Sequence, residues 1–507
     1  MHIDIKNSLK SRDKADLLVI PFWSDQKGKG SNGDRKKGDE KKIVKPSLDL
    51  GTLQEIMTAP LSSGDFLAKE GDLLIHYLEG QPEPRVCLLG LGKQGEVNAE
   101  KLRKVFAKVT KRCHQLKILN INVALPEISG IEKIELIEAI LDGLLLPNYH
   151  FNALKKVSKD LLQPLEKITL IGATKADLVV AEKCSAIAES IDMVRDLVNG
   201  NADDITPQYL AAVAEGLQKT CKHVKAQCFD KKRIKKEGMG LLLAVNQGSH
   251  VDPAFIIVEY KGNPKSKEMT AIVGKGITFD TGGLNLKGTG HMEDMKCDMA
   301  GAAVSLGVIH AAATLGLKVN VTAIIPSTEN SISSQSYKPG DVYTGYTGKS
   351  VEIGNTDAEG RLALADAIGF AIDKLKPTRV IDLATLTGSV VAALGHDICG
   401  IYSNDDALAH TLLEVGQTTG EWLCRLPLHE DYRELLKSDV ADIKSTGGRN
   451  AGSITAALFL KEFVGGTPWA HLDIAGTAYV PEAKRYFPKY ATGFGVRLLV
   501  KFLETLC

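Results

Sequence analysis

Short apolar runs alternate with helical stretches through residues 199–507, and this alternation constrains the fold of the chain more than any other feature. The apolar runs have the length of buried strands and lie at 254–260, 270–273, 319–325, 379–383 and 471–474. Helical patterns lie between them, notably at 299–315 and 361–375. Strands and helices that alternate in this way predict a mixed, mostly parallel sheet that is covered by helices on both faces.

The first 170 or so residues carry a second pattern of the same kind. Its predicted elements are buried strands at 17–22, 86–92 and 168–172 and a long helix at 177–198. Because 507 residues are too many for one ordinary core, two domains are expected. The predicted fold is therefore α/β, with an N-terminal α/β domain over 1–172, a linker helix over 173–198 and a larger C-terminal α/β domain over 199–507.

The first helix of the C-terminal domain has a clear start signal. Thr206 is its expected N-cap, and Pro207 occupies the first helical position, where the missing N–H of proline costs nothing.

Composition excludes several classes of protein. Lys plus Arg equals Asp plus Glu at 62 each, so no net charge favours nucleic acid or an acidic membrane. The amino terminus is charged and has no cleavable apolar segment, and no apolar run approaches the roughly 18 residues that span a bilayer. Nine cysteines, an odd number without a Cys-x-x-Cys pair, are typical of a reducing compartment. We therefore expect a cytoplasmic protein with no membrane partner.

Two lysine-rich segments could still contact nucleic acid. Residues 24–45 are rich in Lys, Gly, Asp and Ser, and residues 231–236 read Lys-Lys-Arg-Ile-Lys-Lys. A solvated surface loop explains the first segment, and a solvated helix face explains the second. DNA binding therefore stays an added hypothesis with little support.

Charged side chains gather around two of the predicted strand ends. They are Lys275, Asp280, Lys287, Asp298, Asp357, Glu359 and Arg361. Lys275 and Asp280 follow strand 270–273 in a glycine-rich turn, and Asp357 and Glu359 follow a strand at 350–353. Three Asp and one Glu carry enough oxygens for two divalent ions, and two such ions can bind and ionise a water at neutral pH.

Each acidic residue also has a simpler interpretation. Asp298 directly precedes a helix, so it suits the role of N-cap as well as that of ligand. Asp357 and Glu359 could form an acidic helix start that complements the helix dipole. On a helix their side chains would diverge, whereas in an extended turn they could converge on one site.

The two lysines raise a question of charge. A lysine that ligates a metal ion must be a neutral amine, so its pKa must lie far below the usual value of about 10.4. Sequence chemistry does not distinguish Lys275 from Lys287 in this role, and alone each is more typical of a solvated surface. Lys287 as a cation would polarise a carbonyl or hold an oxyanion. The planar donor fork of Arg361 suits a small carboxylate-like anion.

These segments resemble the leucyl aminopeptidase family, the two-metal cytosolic aminopeptidases. The resemblance is carried by residues 274–283, Lys287, residues 297–303 and the octapeptide Asn-Thr-Asp-Ala-Glu-Gly-Arg-Leu at 355–362. The octapeptide is a highly specific signature. The likeness extends over most of residues 195–495 and is much weaker over the first domain.

The resemblance implies a ligand set for two divalent ions. Lys275, Asp280, Asp298 and Glu359 would hold the tighter ion, and Asp280, Asp357 and Glu359 the more exchangeable one. Asp280 and Glu359 would bridge the two. Manganese or zinc is implied, and magnesium would also serve.

The resemblance also implies roles around the metal site. Lys287 would polarise the scissile carbonyl, and Arg361 would bind a bicarbonate that carries the proton. Thr385 and Gly388 would line the substrate channel through backbone contacts. Met295 and Ala475 would form the apolar pocket for the first side chain, although Met295 also suits a core position.

The implied function is metal-dependent release of unblocked N-terminal amino acids from peptides, preferably leucine and other apolar residues, in intracellular peptide turnover. The implied assembly is a homohexamer. A two-metal phosphoesterase or nuclease also uses clustered carboxylates, but net neutrality and a lysine ligand speak against it. The other alternative is a non-enzymatic, DNA-binding role.

Overall fold

The computed structural model of the chain describes residues 1–25, 43–51, 53–156 and 162–507. Its contacts group the chain into two units. The first comprises Met1–Ala188 with Ala483–Pro488, and the second comprises Glu189–Glu482 with Lys489–Cys507. Both units combine helices with a largely parallel sheet, so the predicted α/β class is confirmed, whereas the domain boundaries at 172 and 198 stay a prediction.

The sheet of the first unit has seven strands within the described residues. The strands are β1 (His2–Lys6), β2 (Leu17–Asp25), β3 (Ile43–Pro46), β4 (Leu73–Tyr77), β5 (Arg85–Gly90), β6 (Asn120–Ala124) and β7 (Lys167–Ile171). They lie in the order β1-β7-β6-β2-β5-β4, and β3 pairs with β2. The strands β1, β7, β6, β2 and β5 run parallel to their neighbours in this order. The strand β3 pairs antiparallel with β2, and β4 pairs antiparallel with β5.

The helices of the first unit are α1 (Leu53–Ile56), α2 (Thr58–Ser62), α3 (Ala99–Leu116) and α4 (Lys133–Leu145). Asn98 begins α3 as an N-cap, since its side chain accepts the N–H of Lys101 at 2.9 Å. The apolar faces of α3 and α4 pack on one side of the sheet in a continuous core.

The strands predicted at 17–22, 86–92 and 168–172 are confirmed as β2, β5 and β7. The segment predicted as a loop at 24–45 was wrong at both ends. The strand β2 extends to Asp25 and β3 begins at Ile43, because the two pair as an antiparallel ladder. Residues 26–42 lie outside the described residues.

A helix at Lys175–Asn199, α5, follows the first sheet and confirms the prediction at 177–198. The strands of the second unit are β8 (Val224–Phe229), β9 (Ala254–Lys261), β10 (Thr270–Gly274), β11 (Gly276–Asp280), β12 (Asn320–Asn330), β13 (Val342–Thr344), β14 (Ser350–Glu352), β15 (Arg379–Ala384), β16 (Cys399–Ser403), β17 (Leu423–Arg425), β18 (Ile443–Lys444), β19 (Trp469–Asp473), β20 (Tyr479–Val480) and β21 (Tyr490–Ala491).

The main sheet of the second unit has the order β17-β16-β19-β15-β10-β12-β9-β8, with β11 beside β12. Its central strands β19, β15, β10 and β12 run parallel, and β9, β8 and β16 pair antiparallel with their neighbours. The predicted mixed, mostly parallel sheet is thus confirmed. Two smaller sheets are β13-β14-β18 and β20-β21.

The helices of the second unit are α6 (Pro207–Thr220), α7 (Lys231–Glu237), α8 (Gly240–Asn246), α9 (Ala300–Leu315), α10 (Glu359–Phe370), α11 (Gly388–Leu394), α12 (Asp406–Thr419), α13 (Gly452–Lys461) and α14 (Val496–Glu504). Thr206 caps α6 as predicted, because its hydroxyl accepts the N–H of Tyr209 at 3.3 Å. The helix predicted at 361–375 begins at Glu359 and changes to a π-helical turn at Ala371–Leu375.

One helical stretch in the described part of the chain, Met295–Leu315, is long and apolar enough to cross a bilayer, with a mean hydropathy of 1.3. It is longer than the apolar runs expected from the sequence, because a 3₁₀ turn continues directly into α9. Of the most apolar 18-residue segment of this stretch, 78% is buried inside the second unit, as is usual for the core helix of a globular domain.

The basic run at 231–236 forms the helix α7, whose lysines and arginine are exposed. Lys231 pairs with Asp252 at 3.1 Å, and Arg233 pairs with Glu237 at 2.7 Å. These pairs agree with a solvated helix face, and DNA binding stays an untested prediction.

Candidate metal centre

The carboxyl ends of parallel neighbouring strands bring the predicted site together. Lys275 follows β10, Thr385 follows β15, and Asp280 is the last residue of β11. The backbone N–H of Lys275 donates to Leu383 O of β15 at 3.0 Å, which fixes the main chain where the lysine side chain begins. The strand ends of an α/β sheet therefore form the floor of this site, as in other open sheets.

Lys275 is buried at the centre of the site. Its Nζ lies 2.7 Å from Asp298 Oδ1, 2.8 Å from Glu359 Oε1 and 2.9 Å from Thr385 O. A side chain at Gly360 would not fit beside it, since a Cβ there would lie 2.4 Å from Lys275 Cε. Glycine at this position lets α10 approach the lysine closely.

Lys287 occupies the outer side of the same cluster. Its Nζ lies 2.8 Å from Asp280 Oδ2 and 2.5 Å from Asp357 Oδ1. Its side chain is 14% exposed, against 3% for Lys275. The structure therefore separates the two lysines, which the sequence does not, into an inner one on Asp298 and Glu359 and an outer one.

Asp357 and Glu359 converge through a 3₁₀ turn, and not through the extended turn considered from the sequence. Asp357 lies in the turn Thr356–Ala358, and Glu359 is the first residue of α10. One ligand atom from each of Asp280, Asp357 and Glu359 lies within 4.8 Å of the other two. Glu359 does begin a helix, but its carboxylate contacts Lys275.

Asp298 is not the N-cap of α9, so that interpretation was wrong. It lies in the preceding 3₁₀ turn Met295–Met299, and Met299 occupies the cap position. The Oδ1 atom of Asp298 instead accepts hydrogen bonds from Lys275 Nζ and, at 2.7 Å, from Thr385 Oγ1. The carboxylate therefore belongs to the charged cluster.

Negative charge is in excess, because four carboxylates share this space with two ammonium groups. Burial and the charge of Glu359 raise the pKa of Asp280 to about 6. Burial also raises the pKa of Asp298 well above its ordinary value. A surplus of buried negative charge is stabilised when cations bind.

The pKa of Lys275 lies above its ordinary value in the protein without metal ions. Burial lowers it, but the charges of Asp298, Glu359 and Asp280 outweigh burial and favour the ammonium form. The low pKa expected for a metal-ligating amine is therefore not a property of the protein side chains alone. It requires the charge of the metal ions themselves.

Two oxygen atoms at the centre have no hydrogen-bond partner in the part of the chain that the structure describes. Asp298 Oδ2 and Glu359 Oε2 are buried and accept no hydrogen bond from the described residues. Buried carboxylate oxygens are almost always paired or bound to a metal, because leaving them unsatisfied costs free energy. Carboxylates with one amine are a donor set that suits hard divalent ions such as Mn²⁺ and Mg²⁺. The residues present therefore fit divalent metal ions.

Arg361 lies at the side of the cluster, almost fully buried. Its Nη1 donates to Ser445 O at 2.9 Å, while its Nε is buried without a partner among the described residues. Burial lowers the pKa of Arg361 to about 10, and the charges of Glu359 and Asp473 oppose that shift, so it stays a cation at neutral pH. An unsatisfied guanidinium edge fits a small anion.

The expected substrate residues lie around the same strand ends. Thr385 uses its carbonyl for Lys275 and its hydroxyl for Asp298, so it also supports the charged cluster. Gly388 is exposed at the start of α11, with open space where a Cβ would be. Met295 and Ala475 are half-buried, and the N–H of Ala475 donates to Asp473 Oδ1 at 3.3 Å. Their roles toward a substrate stay predictions.

Sequence reasoning missed two residues that hold parts of the charged cluster in place. Asn330 donates to Asp280, and the predicted strand at 319–325 ended too early to include it, whereas β12 extends to Asn330. Asp473 accepts the N–H of Leu386 at 3.1 Å and the hydroxyl of Thr387 at 2.7 Å, which orders the loop after β15. For Asp473 the available signal was a polar residue within the strand predicted at 471–474.

Comparison with known proteins decides the family. The sequence matches the catalytic domain of the cytosol aminopeptidase family over residues 192–500 and the N-terminal domain of that family over residues 30–158. The chain belongs to the cytosol aminopeptidase family. As a member of this family it is a metallopeptidase, a hydrolase that acts on peptides, and the resemblance inferred from the octapeptide is confirmed.

Curated relatives of this cytosol aminopeptidase family member match it over nearly its whole length. A probable cytosol aminopeptidase of Protochlamydia amoebophila (strain UWE25) is 52% identical over 501 residues, covering 98% of this chain and 97% of the relative. A probable cytosol aminopeptidase of Chlamydia abortus is 46% identical over 504 residues, with the same coverage of 98% and 97%.

Solved structures of the bottromycin maturation enzyme BotP have a similar fold. One matches with a TM-score of 0.82 and 30% identity, covering 97% of this chain and 99% of BotP. A second, of BotP in complex with Mn, has a TM-score of 0.83 at the same identity and coverage. Both units of this family member therefore have a solved structural counterpart.

Proposed function

We propose that this enzyme releases unblocked N-terminal amino acids from peptides, preferably leucine and other apolar residues, in intracellular peptide turnover. The observation that carries the proposal is the pair of buried oxygens without a partner among the described residues, Asp298 Oδ2 and Glu359 Oε2. They belong to a group of four carboxylates around Lys275 and Lys287. Membership of the cytosol aminopeptidase family supports the same activity.

The proposed ligands fall into two sets that share Asp280 and Glu359. Lys275 and Asp298 would complete the set for the tighter ion, and Asp357 the set for the more exchangeable one. When bound, the ions supply Lewis acidity and lower the pKa of a bound water toward about 7. Manganese or zinc is proposed, with magnesium also able to serve, and the complex of BotP with Mn supports manganese.

Lys287 is the proposed electrophile for the scissile carbonyl. It is the more exposed of the two lysines, and it lies against Asp280 and Asp357, beside the proposed position of the exchangeable ion. Its ammonium group is stabilised, because those carboxylates outweigh burial and raise its pKa above the ordinary value. A fixed cation at this position would stabilise the negative charge that develops on the carbonyl oxygen.

Arg361 is the proposed site of a bicarbonate ion. Its buried Nε without a partner and its charge at neutral pH suit a small planar anion. Bicarbonate bound there would supply the proton-transfer group that no imidazole or free carboxylate of the cluster provides. The side chain of Arg361 would orient the anion through two N–H groups.

Substrate selection is assigned to the half-buried surface around the cluster. Met295 and Ala475 would form the apolar wall of the pocket for the first side chain, which would favour leucine. Thr385 and Gly388 would hold the peptide backbone. A free α-amine would bind at one of the two ions, and an acyl group on that nitrogen would block it.

The proposed assembly is a homohexamer in the cytoplasm. The naming of the relatives as cytosol aminopeptidases and the nine free cysteines support a reducing compartment. Light scattering of the purified protein tests the assembly, and a mass of six chains is the expected result. A monomer at micromolar concentration would contradict it.

Activity is tested with leucine p-nitroanilide, N-acetyl-leucine p-nitroanilide and protein supplied with Mn²⁺ or Zn²⁺. Rapid cleavage of the free-amine substrate alone is expected, and the Glu359→Gln variant should be inert. Glutamate p-nitroanilide should be cleaved more slowly than leucine p-nitroanilide. Folded, metal-loaded protein that cleaves none of these substrates would contradict the proposal.

A further inference from the structure

We propose that Asn330 is a positioning residue, which holds Asp280 and the turn that carries Asp357 in the geometry that binds the exchangeable metal ion. This inference rests on the proposed function, because it assigns a task within the same site. Asn330 is the last residue of β12 and is fully buried.

One amide group of Asn330 connects two distant segments of the chain. Its Nδ2 donates to Asp280 Oδ1 at 2.8 Å and to Thr356 O at 3.0 Å. Both partners are acceptors only, so the amide nitrogen, and not the amide oxygen, must face them. Asp280 and Thr356 belong to β11 and to the octapeptide turn, and Asn330 fixes the separation between them.

The two carboxylate oxygens of Asp280 have different partners, and the hydrogen bond from Asn330 is made to only one of them. Oδ1 accepts from Asn330 and also from the N–H of Gly282, at 2.8 Å each. Oδ2 is thereby directed away from the backbone, toward Lys287 Nζ at 2.8 Å. Hydrogen bonds of this kind orient a ligating carboxylate and set its basicity.

The bond to Thr356 O holds the turn immediately before Asp357. The same carbonyl accepts the hydroxyl of Tyr337 at 2.7 Å, and the hydroxyl of Thr356 donates to Gly282 O at 2.7 Å. Thr356 is therefore bonded to the residues around Asp280 as well as to Asn330. A change at Asn330 would loosen both carboxylates at once.

The buried asparagine at position 330 is unfavourable for folding in one respect, so a contribution to stability does not by itself explain this choice of residue. Its Oδ1 is buried and accepts no hydrogen bond from the described residues. An unsatisfied buried oxygen is unfavourable, because it loses its hydrogen bonds to water without gaining others. The short side chain with two donors on one nitrogen is what the position requires, because serine has one donor, and aspartate would place a like charge beside Asp280.

Asn246 offers a matched control in the same unit. It is equally buried, and its Nδ2 also makes two hydrogen bonds, to Val251 O at 2.8 Å and to Thr328 Oγ1 at 3.1 Å. Its Oδ1 also accepts no hydrogen bond from the described residues. It differs from Asn330 in contacting none of the proposed ligands.

The test is calorimetric titration of Mn²⁺ into the metal-free, full-length protein and into Asn330→Ala, Asn330→Ser and Asn246→Ala. In Asn330→Ala the weaker of the two binding events should lose affinity by about 10–100-fold, as happens when a residue that hydrogen-bonds a metal-binding carboxylate is removed. Asn330→Ser keeps one donor and should lose less. Asn246→Ala should bind both ions as wild type does, even where its melting temperature falls.

The outcomes separate this inference from the proposed function. Unchanged Mn²⁺ affinity in a folded Asn330→Ala or Asn330→Ser protein overturns the positioning role. Equal loss of affinity in Asn246→Ala also overturns it, because the effect would then come from general destabilisation. Wild-type protein that binds neither Mn²⁺ nor Zn²⁺, when titrated with each, contradicts the proposed function itself.

Discussion

Two buried glutamates, one in each unit, differ in how their oxygens are used. In Glu83 of the first unit, Oε2 accepts a hydrogen bond from Arg12 Nε at 2.9 Å, and Oε1 accepts one from Asn122 Nδ2 at 2.5 Å. In Glu359 of the second unit, Oε1 pairs with Lys275, and Oε2 has no partner among the described residues. Both oxygens of the first glutamate are paired, whereas the second keeps one oxygen for the metal ion that we propose it binds.

The same difference holds at the strand ends of the two sheets. A cavity of about 770 Å³ lies at the carboxyl ends of β1, β6 and β7. Two of its three basic side chains are paired, Arg12 with Glu83 and Lys133 with Asp177 at 2.7 Å, and the third, Lys10, is exposed to solvent. In the second unit the strand ends collect carboxylates in excess of cations. We infer that a surplus of buried carboxylates, rather than burial or a cavity alone, marks the candidate site.

The largest expected effect is a difference in catalytic activity between the variants Glu359→Gln and Glu83→Gln. Glu359→Gln should lower kcat/KM for leucine p-nitroanilide by about a thousandfold or more, because a shared carboxylate ligand is lost. Glu83→Gln should leave the turnover of the folded protein unchanged. Steady-state kinetics of both variants checks this, and an active Glu359→Gln enzyme would break the comparison.

The free energy of unfolding should rank the two variants in the opposite order, with the larger loss in Glu83→Gln. Glu83→Gln leaves the charge of Arg12 without its counter-charge in a buried position and is expected to lower the free energy of unfolding by about 3 kcal/mol. In metal-free protein Glu359→Gln should cost less, because Asp298 stays beside Lys275 at 2.7 Å and keeps that ammonium group paired. Urea unfolding of the two variants without metal gives the ranking, and the reverse order would contradict it.

Metal ions should stabilise the protein through the second unit. Mn²⁺ at one hundred times its dissociation constant is expected to raise the free energy of unfolding by about 2.7 kcal/mol, because it binds the folded state only. Glu83→Gln should keep this stabilisation, and Glu359→Gln should lose most of it. Thermal unfolding with and without Mn²⁺ measures the shift, with Mg²⁺ as a comparison.

The smallest expected effect is the contribution of His150, in the first unit, to the pH dependence of the free energy of unfolding. Burial lowers the pKa of His150 from its ordinary 6.5 to about 4, and the neighbouring His114 and Lys155 add to the shift. The unfolded chain therefore takes up this proton at a higher pH than the folded protein does. The contribution to stability is full above pH 6.5 and is lost progressively as the pH falls toward 4.

The variant His150→Asn isolates that contribution. Its free energy of unfolding should fall less steeply between about pH 7 and about pH 5 than that of the wild type, because it lacks the titrating imidazole. Urea unfolding at the two pH values provides the measurement. A difference between the variant and the wild type that does not change with pH would contradict the assignment.

The sequence predicted the architecture and the charged residues of the site, because both leave local patterns. Strand length, helix periodicity and the N-cap at Thr206 depend on neighbouring residues, and the octapeptide at 355–362 is compact. The partners of those charges could not be predicted, because they are set by tertiary packing. Asn330 reaches Asp280 across parallel strands 50 residues apart, and Asp298 turns away from α9 to Lys275.

The measurement that tests the central claim most directly is an anomalous diffraction map of crystals grown with Mn²⁺. Two peaks are expected, one against Lys275 and Asp298 and one against Asp357, with Asp280 and Glu359 touching both. Glu83 should have no peak. A map without density at Asp298 Oδ2 and Glu359 Oε2, in crystals that hold Mn²⁺ elsewhere, would contradict the claim that these unpaired oxygens mark a two-metal centre.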